Sequence, residues 1–145
     1  MLSTLLHGLE CWRMTEHDLS RLACFHTASL RKILRIFWPR KISNDELLKQ
    51  TKQEDSRTIV TRRRWRWIGH VPRKGNNNIA RIAMRWTPEG KRSRRRPKTT
   101  WRRTVEKGLR ELNYSWSTIE KLAKDRQRWK ISLLPYMPHR HMGSK

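Results

Sequence analysis

The chain has 145 residues, with 35 Lys and Arg against 12 Asp and Glu, for a formal net charge of +23. At 35% hydrophobic and 32% charged content it has one domain's worth of chain at most, and self-repulsion predicts marginal stability in isolation or a place within something larger. Two cysteines, Cys11 and Cys24, exclude a disulfide framework; the opening apolar run lacks a basic leader and is broken by Glu10, which excludes a signal peptide or membrane span and points to a cytosolic or nuclear compartment.

Residues 1–12 form a short apolar entry. Thr15-Glu-His-Asp18 has the spacing of a capping box. From there Leu19, Leu22, Ala23, His26, Leu30, Ile33, Leu34 and Phe37 recur at three- and four-residue steps, predicting one buried helix face of about five turns. Trp38-Pro39 is its expected end, because proline disfavours helix in the residue before it. The opposite face carries Arg21, Arg31, Lys32 and Arg35, free to touch phosphates while the helix packs inward. Ser43-Asn-Asp-Glu46 is a second capping box, opening a short helix to Gln50, and residues 51–56 are polar and turn-like.

A second long helix is predicted from Ser56 to Ile68, with Ile59, Val60, Arg63, Trp67, Ile68 and Val71 along one flank and Gly69 as its stop. Residues 72–78 read as a loop. Ile79, Ile82, Ala83 and Trp86 then suggest the buried stripe of a short helix closed by residues 87–90. Residues 91–98, crowded with like charge and holding Pro97, are expected to be an extended, flexible arm. Thr99 or Thr100 caps a helix bearing Trp101, Val105, Leu109 and Leu112, and Ser117-Thr-Ile-Glu120 opens another with Ile119, Leu122, Ala123, Arg126 and Trp129.

The fold class is all-α: a small irregular bundle of about five to six helices with a flexible basic arm and a disordered C-terminal tail. Its expected segments are a helical piece over 1–50, a basic Trp/Arg helix and loop over 51–75, a short helix and arm over 76–98, a helical hairpin over 99–131, and the tail over 132–145.

The charge is concentrated. Residues 57–103 hold 17 Lys and Arg and one acid, Glu89, with Trp65, Trp67, Trp86 and Trp101 threaded among them. Dense positive charge calls for a polyanion, and flat aromatic faces offer stacking to bases, so nucleic acid, RNA or DNA, is the partner that uses both. The expected phosphate contacts are Arg62, Arg63, Arg64, Arg66, Arg94, Arg95, Arg96, Lys98, Arg102 and Arg103. Trp65 is the expected exposed stacking residue, and Trp67 the expected core residue. The competing reading is a structural or protein-interaction module whose arm serves only nuclear import.

Catalysis finds no machinery. The acids Asp18, Asp45, Glu46 and Glu120 lie at helix starts, where the dipole favours them, and Gly69, Gly75 and Gly90 are too isolated to form a phosphate loop. Cys11, His17, Cys24 and His26 are the right residue types for zinc at the wrong spacing. His70 alone is a weak candidate for a phosphate contact. No catalytic residue, metal, cofactor or small-molecule substrate is expected.

An ordered set of segments carries a resemblance: Leu5-Leu-His-Gly-Leu-Glu-Cys-Trp, Phe25-His-Thr-Ala-Ser-Leu-Arg-Lys-Ile-Leu, Ser43-Asn-Asp-Glu, Arg63-Arg-Trp-Arg-Trp-Ile-Gly-His-Val, Arg85-Trp-Thr-Pro-Glu-Gly-Lys-Arg, Arg96-Pro-Lys-Thr-Thr-Trp-Arg-Arg-Thr-Val-Glu-Lys and Asp125-Arg-Gln-Arg-Trp. In this order they resemble the C-terminal, post-polymerase part of the endonuclease and reverse transcriptase polyprotein of non-LTR (LINE-type) retrotransposons, over residues 5–130. The resemblance implies thumb-like helices and a basic region that hold template RNA and target DNA, in a nucleus or a cytoplasmic ribonucleoprotein, alongside the rest of a reverse transcriptase. It also implies that the polymerase and endonuclease carboxylates lie upstream of the matched segment, so this chain is expected to be non-catalytic. Two departures stand out: His7 replaces a usual Tyr, and Arg95 replaces the Gly of a common Arg-Gly-Arg-Pro, where a glycine would let the backbone approach a minor groove.

Overall fold

The computed structural model describes residues 2–86, 89–90 and 100–132, whose regular elements are all helices, with no strand among the described residues. Helix α1 (Leu2–Leu5) leads through Gly8, at φ 69°, into a 3-10 turn over Leu9–Cys11. Then follow α2 (Glu16–Ile33), α3 (Asn44–Gln50), α4 (Ser56–His70) with a 3-10 turn over Val71–Arg73, α5 (Ile79–Arg85), α6 (Trp101–Glu111), α7 (Trp116–Lys124) and α8 (Arg126–Ser132). The all-α class is as expected. The arm residues Arg94, Arg95, Arg96 and Lys98, and the tail beyond Ser132, lie outside the described residues.

Short-range chemistry sets the helix ends. The Thr15 N–H donates to Asp18 Oδ2 at 2.9 Å and the Asp18 N–H donates to Thr15 Oγ1 at 3.2 Å, completing the predicted capping box. At its other end α2 stops well before Pro39. Arg35 takes φ 53°, its N–H returns to the Lys32 carbonyl at 3.2 Å, and the Ile36 N–H returns to the Arg31 carbonyl at 2.9 Å. This is a Schellman closure with arginine where glycine is usual. The apolar stripe of α2 is consequently covered over only part of its length: Leu19 and Leu22 pack on the Leu6, Leu9 and Val60 cluster and His26 is buried, while Ile33, Leu34 and Phe37 are exposed.

α4 is the helix on which the others assemble, and it buries two faces. Val60, near its start, packs with Leu6 and Leu9 of the N-terminal segment. Trp65 and Ile68 pack into the main core with Met84 of α5, Val105 and Leu109 of α6, Ile119 and Ala123 of α7, and Trp129 of α8. Val60 and Trp65, five residues apart, point about 140° apart around the helix. Ile68 and Ile119 are at 0% exposure, and burying such a side chain contributes about 2 kcal/mol relative to leaving it in water.

Gly69 does not stop α4, which continues through it to His70. Its role is steric: a Cβ there would land inside the indole of Trp129. The second glycine in the core has the same logic, since a Cβ on Gly108 would meet Trp65 Cζ2 at 3.1 Å. Neither contact is readable from local turn chemistry.

Three further corrections concern the later helices. In α5 the buried residue is Met84, whereas Ile79, Ile82, Ala83 and Trp86 are exposed, so the helix exists with its apolar stripe facing outward. α7 is capped by Ser115, whose Oγ accepts from the Thr118 N–H at 3.2 Å, and not by Ser117. Asp125 then separates α7 from α8, its Oδ1 accepting from the N–H groups of Gln127 at 2.8 Å and Arg128 at 3.2 Å. A single predicted helix is thus two.

Candidate nucleic-acid interface

The arginine run of α4 is positioned by the two-sided burial of that helix. Arg62 forms a bidentate pair with Glu54, its Nη1 donating to Oε1 at 2.7 Å and its Nη2 to Oε2. Arg63 Nη1 donates to the Leu6 carbonyl at 2.8 Å, and Arg64 Nη2 donates to the Trp12 carbonyl at 3.4 Å. Between them, Trp101 Nε1 on α6 donates to the Glu10 carbonyl at 2.8 Å. The N-terminal segment ends a short helix and a 3-10 turn in quick succession and so leaves main-chain carbonyls without helical partners. Arg63, Arg64 and Trp101 supply those partners. Burial pushes the Arg64 guanidinium below its usual range, and its Nε is enclosed with no protein acceptor.

Trp65 is not a surface ring. It is 4% exposed, stands 6.4 Å from Trp129 between ring centroids at 55°, and lies over Gly108. The expectation of an exposed stacking residue there is overturned, for a geometric reason: it assumed that α4 hides one flank, whereas α6 and α8 cover the other. Trp67, expected in the core, is half-buried and meets Trp101 edge-on with centroids 5.6 Å apart. Arg66 and His70 remain exposed at the C-terminal half of α4, and Arg66 pairs with no acid among the described residues.

Arg102 is held within the fold. Its Nε donates to Glu106 Oε1 at 3.1 Å, its Nη1 to the Arg85 carbonyl at 3.1 Å, and its guanidinium carbon stands 5.5 Å from the Trp116 ring centroid. Arg103 is exposed at the first turn of α6. The structure therefore gathers Arg63 and Arg64 against the N-terminal segment, pairs Arg62 with Glu54 just before α4, and leaves Arg66 and Arg103 exposed. Arg94, Arg95, Arg96 and Lys98 lie outside the described residues.

The most exposed aromatic ring among the described residues is elsewhere, on the elbow between α2 and α3. Phe37 is 62% and Trp38 85% exposed, and they help line an open cleft of about 410 Å³ with Arg31, Ile36, Arg40 and Lys41. Sequence reasoning placed Phe37 on the covered stripe and used Trp38 only as a helix end. The signal available was an acid-free run from Leu19 to Asn44 with its cations crowded around Phe37-Trp38-Pro39.

Among the described residues, no group of three or more His, Cys, Asp or Glu side chains could hold a metal ion, and no helix is long and apolar enough to cross a membrane.

Compared with known proteins, the chain is 25% identical over 140 residues to an uncharacterized transposon-derived protein of Caenorhabditis elegans, an alignment covering 89% of this chain and 49% of that protein. The chain thus spans about half the length of the curated relative it matches. No protein-family model and no solved structure matches it.

Proposed function

We propose that this chain is a non-catalytic, nucleic-acid-binding part of a retrotransposon-derived protein, holding template RNA or target DNA through cation–phosphate contacts in a nucleus or a ribonucleoprotein. The observation that carries this reading is the unmatched charge: 35 cations face 12 acids, so pairing every acid still leaves +23. Ion pairs to Glu16, Glu54, Glu106, Glu120 and Asp125 draw on that small supply of acids. A field of this size on a small bundle is what a polyanion recognises.

Similarity to a transposon-derived protein supports a transposon origin, and the ordered motifs from Leu5 to Trp129 supply the finer assignment to the region after the polymerase of a LINE-type reverse transcriptase. Within this reading Arg66, Arg103 and the arm cations Arg94, Arg95, Arg96 and Lys98 make the phosphate contacts. Arg62 and Arg102 contribute from paired positions, while Arg63, Arg64 and Trp65 keep the fold that presents them. The remainder of a reverse transcriptase is the natural protein partner.

A titration of labelled single-stranded RNA, single-stranded DNA and duplex DNA against the full chain tests the reading. If six to ten cations neutralise phosphates, affinity falls by about 10³–10⁵ between 50 and 200 mM salt. A flat salt response overturns it.

One observation favours a second reading. Ile79 and Ile82 of α5, with Trp86 just past its end, expose apolar surface, as a protein-docking helix would, and residues 91–98 would then serve nuclear import. Absence of saturable nucleic-acid binding selects this alternative.

A further inference from the structure

We infer that the elbow between α2 and α3, residues 31–42, is a base-stacking site for single-stranded nucleic acid, with Trp38 and Phe37 as the stacking platform and Lys32, Arg35, Arg40 and Lys41 as its phosphate contacts. The inference takes its ligand class from the function proposed above but uses none of the residues assigned there.

Three features of the elbow meet in one place. The first is unspent aromatic surface. Phe37 and Trp38 are more than half exposed in a chain with little apolar content, and large rings are left in water at a cost. The second is unopposed charge. Lys32, Arg35, Arg40 and Lys41 are all exposed, and none joins an ion pair among the described residues. The nearest acids in sequence, Asp45 and Glu46, lie in the first turn of α3, where Glu46 Oε1 accepts from Gln50 Nε2 at 3.3 Å.

The third is a fastened scaffold. Ile36 is buried beneath the Schellman closure at Arg35. The Arg40 N–H donates to the Phe37 carbonyl at 3.0 Å, closing the turn that presents the rings. Arg31 crosses from α2 to the far side of the elbow, its Nη2 donating to the Ile42 carbonyl at 3.1 Å and to Asn44 Oδ1 at 2.7 Å. The rings therefore project from a turn pinned at both ends, and little order has to be created when a ligand arrives.

Chemistry then selects the ligand. Aromatic faces beside cations accept unpaired bases and their backbone together, whereas in a duplex the base faces are already stacked on one another. The rings also line a cleft rather than a flat plane, and a planar base enters a cleft more readily than a bilayer surface does. The expected preference is for single strands, tolerant of sequence, because every base has a π-face.

The test uses the full chain and fluorescence anisotropy with labelled single-stranded oligonucleotides, a duplex of equal length, and anionic phosphatidylserine vesicles as a competitor. Trp38→Ala is expected to weaken single-strand binding by about tenfold, with duplex binding and the salt dependence unchanged. Trp38→Phe should restore most of the loss. Arg40→Ala with Lys41→Ala should weaken single-strand binding and lower its salt slope by about two. Equal single-strand affinity for the wild type and Trp38→Ala overturns the elbow site while leaving the function proposed above intact. No binding of any oligonucleotide by the wild type overturns both. Trp38-dependent vesicle binding without single-strand binding replaces this site with a membrane contact.

Discussion

The indole of Trp129 lies against the backbone of Gly69, close enough that no β-carbon fits between α4 and α8 at that point. In isolation Gly69→Ala should favour a helix by about 1 kcal/mol. Here the new methyl meets a buried ring, and overpacking of this kind costs about 1–3 kcal/mol or more. The steric term wins, because the obstacle is the rigid edge of an indole rather than the tip of a flexible chain. Gly69→Ala is therefore expected to lower the urea midpoint and the melting temperature, the opposite sign to that of the same change at an exposed helical glycine.

Arg63 and Arg66, three residues apart on α4, should separate fold from binding. Arg63 donates to the Leu6 carbonyl, so Arg63→Ala should cost about 1–2 kcal/mol and loosen the N-terminal segment. Amide hydrogen exchange over residues 6–12 reads that loosening. Arg66→Ala should leave stability within about 0.5 kcal/mol and lower the salt slope of nucleic-acid binding by about one. A result with the two roles exchanged would contradict the geometry of α4.

Trp65→Ala should remove a buried ring from the centre of the core, a change that costs about 3–5 kcal/mol. Single domains have only about 5–15 kcal/mol in hand, so this variant is expected to be largely unfolded. Trp65→Phe keeps a ring in the gap and should bind nucleic acid with unchanged affinity. A selective loss of binding in a folded Trp65→Phe would indicate that the indole touches the ligand.

Acid should destabilise the chain in two windows. Burial holds the His26 imidazole below its ordinary value of 6.5, against the smaller opposing pull of Asp55. The unfolded chain then takes up the proton first, so the contribution of His26 is full above 6.5 and is lost as pH falls below it toward the depressed folded value. The Thr15 hydroxyl, and then the Thr15 N–H, hold the Asp18 carboxyl below its ordinary 3.8, so its contribution is present above that value and is lost as pH falls through the lowered one. Urea midpoints measured from pH 8 to pH 3 should decline in both windows. In His26→Gln the upper decline should disappear while the lower one stays.

The amino-acid sequence by itself determined what depends on near neighbours. Helix starts at Thr15 and Ser43, the all-α class and the charge excess all follow from spacing and side-chain type within a few residues. Tertiary structure decided which side of each helix is covered. α4 buries Trp65 on a flank that α6 and α8 cover, and a pattern rule that grants each helix one buried face assigns Trp65 to solvent. The same rule buries Ile79, Ile82 and Phe37, which no described element covers. Arg63 and Arg64 likewise read as binding residues until the carbonyls of Leu6 and Trp12, more than fifty positions away in sequence, are brought beside them. Periodicity records how residues are arranged around one helix axis; burial depends on how many neighbours surround that axis, and only packing supplies those.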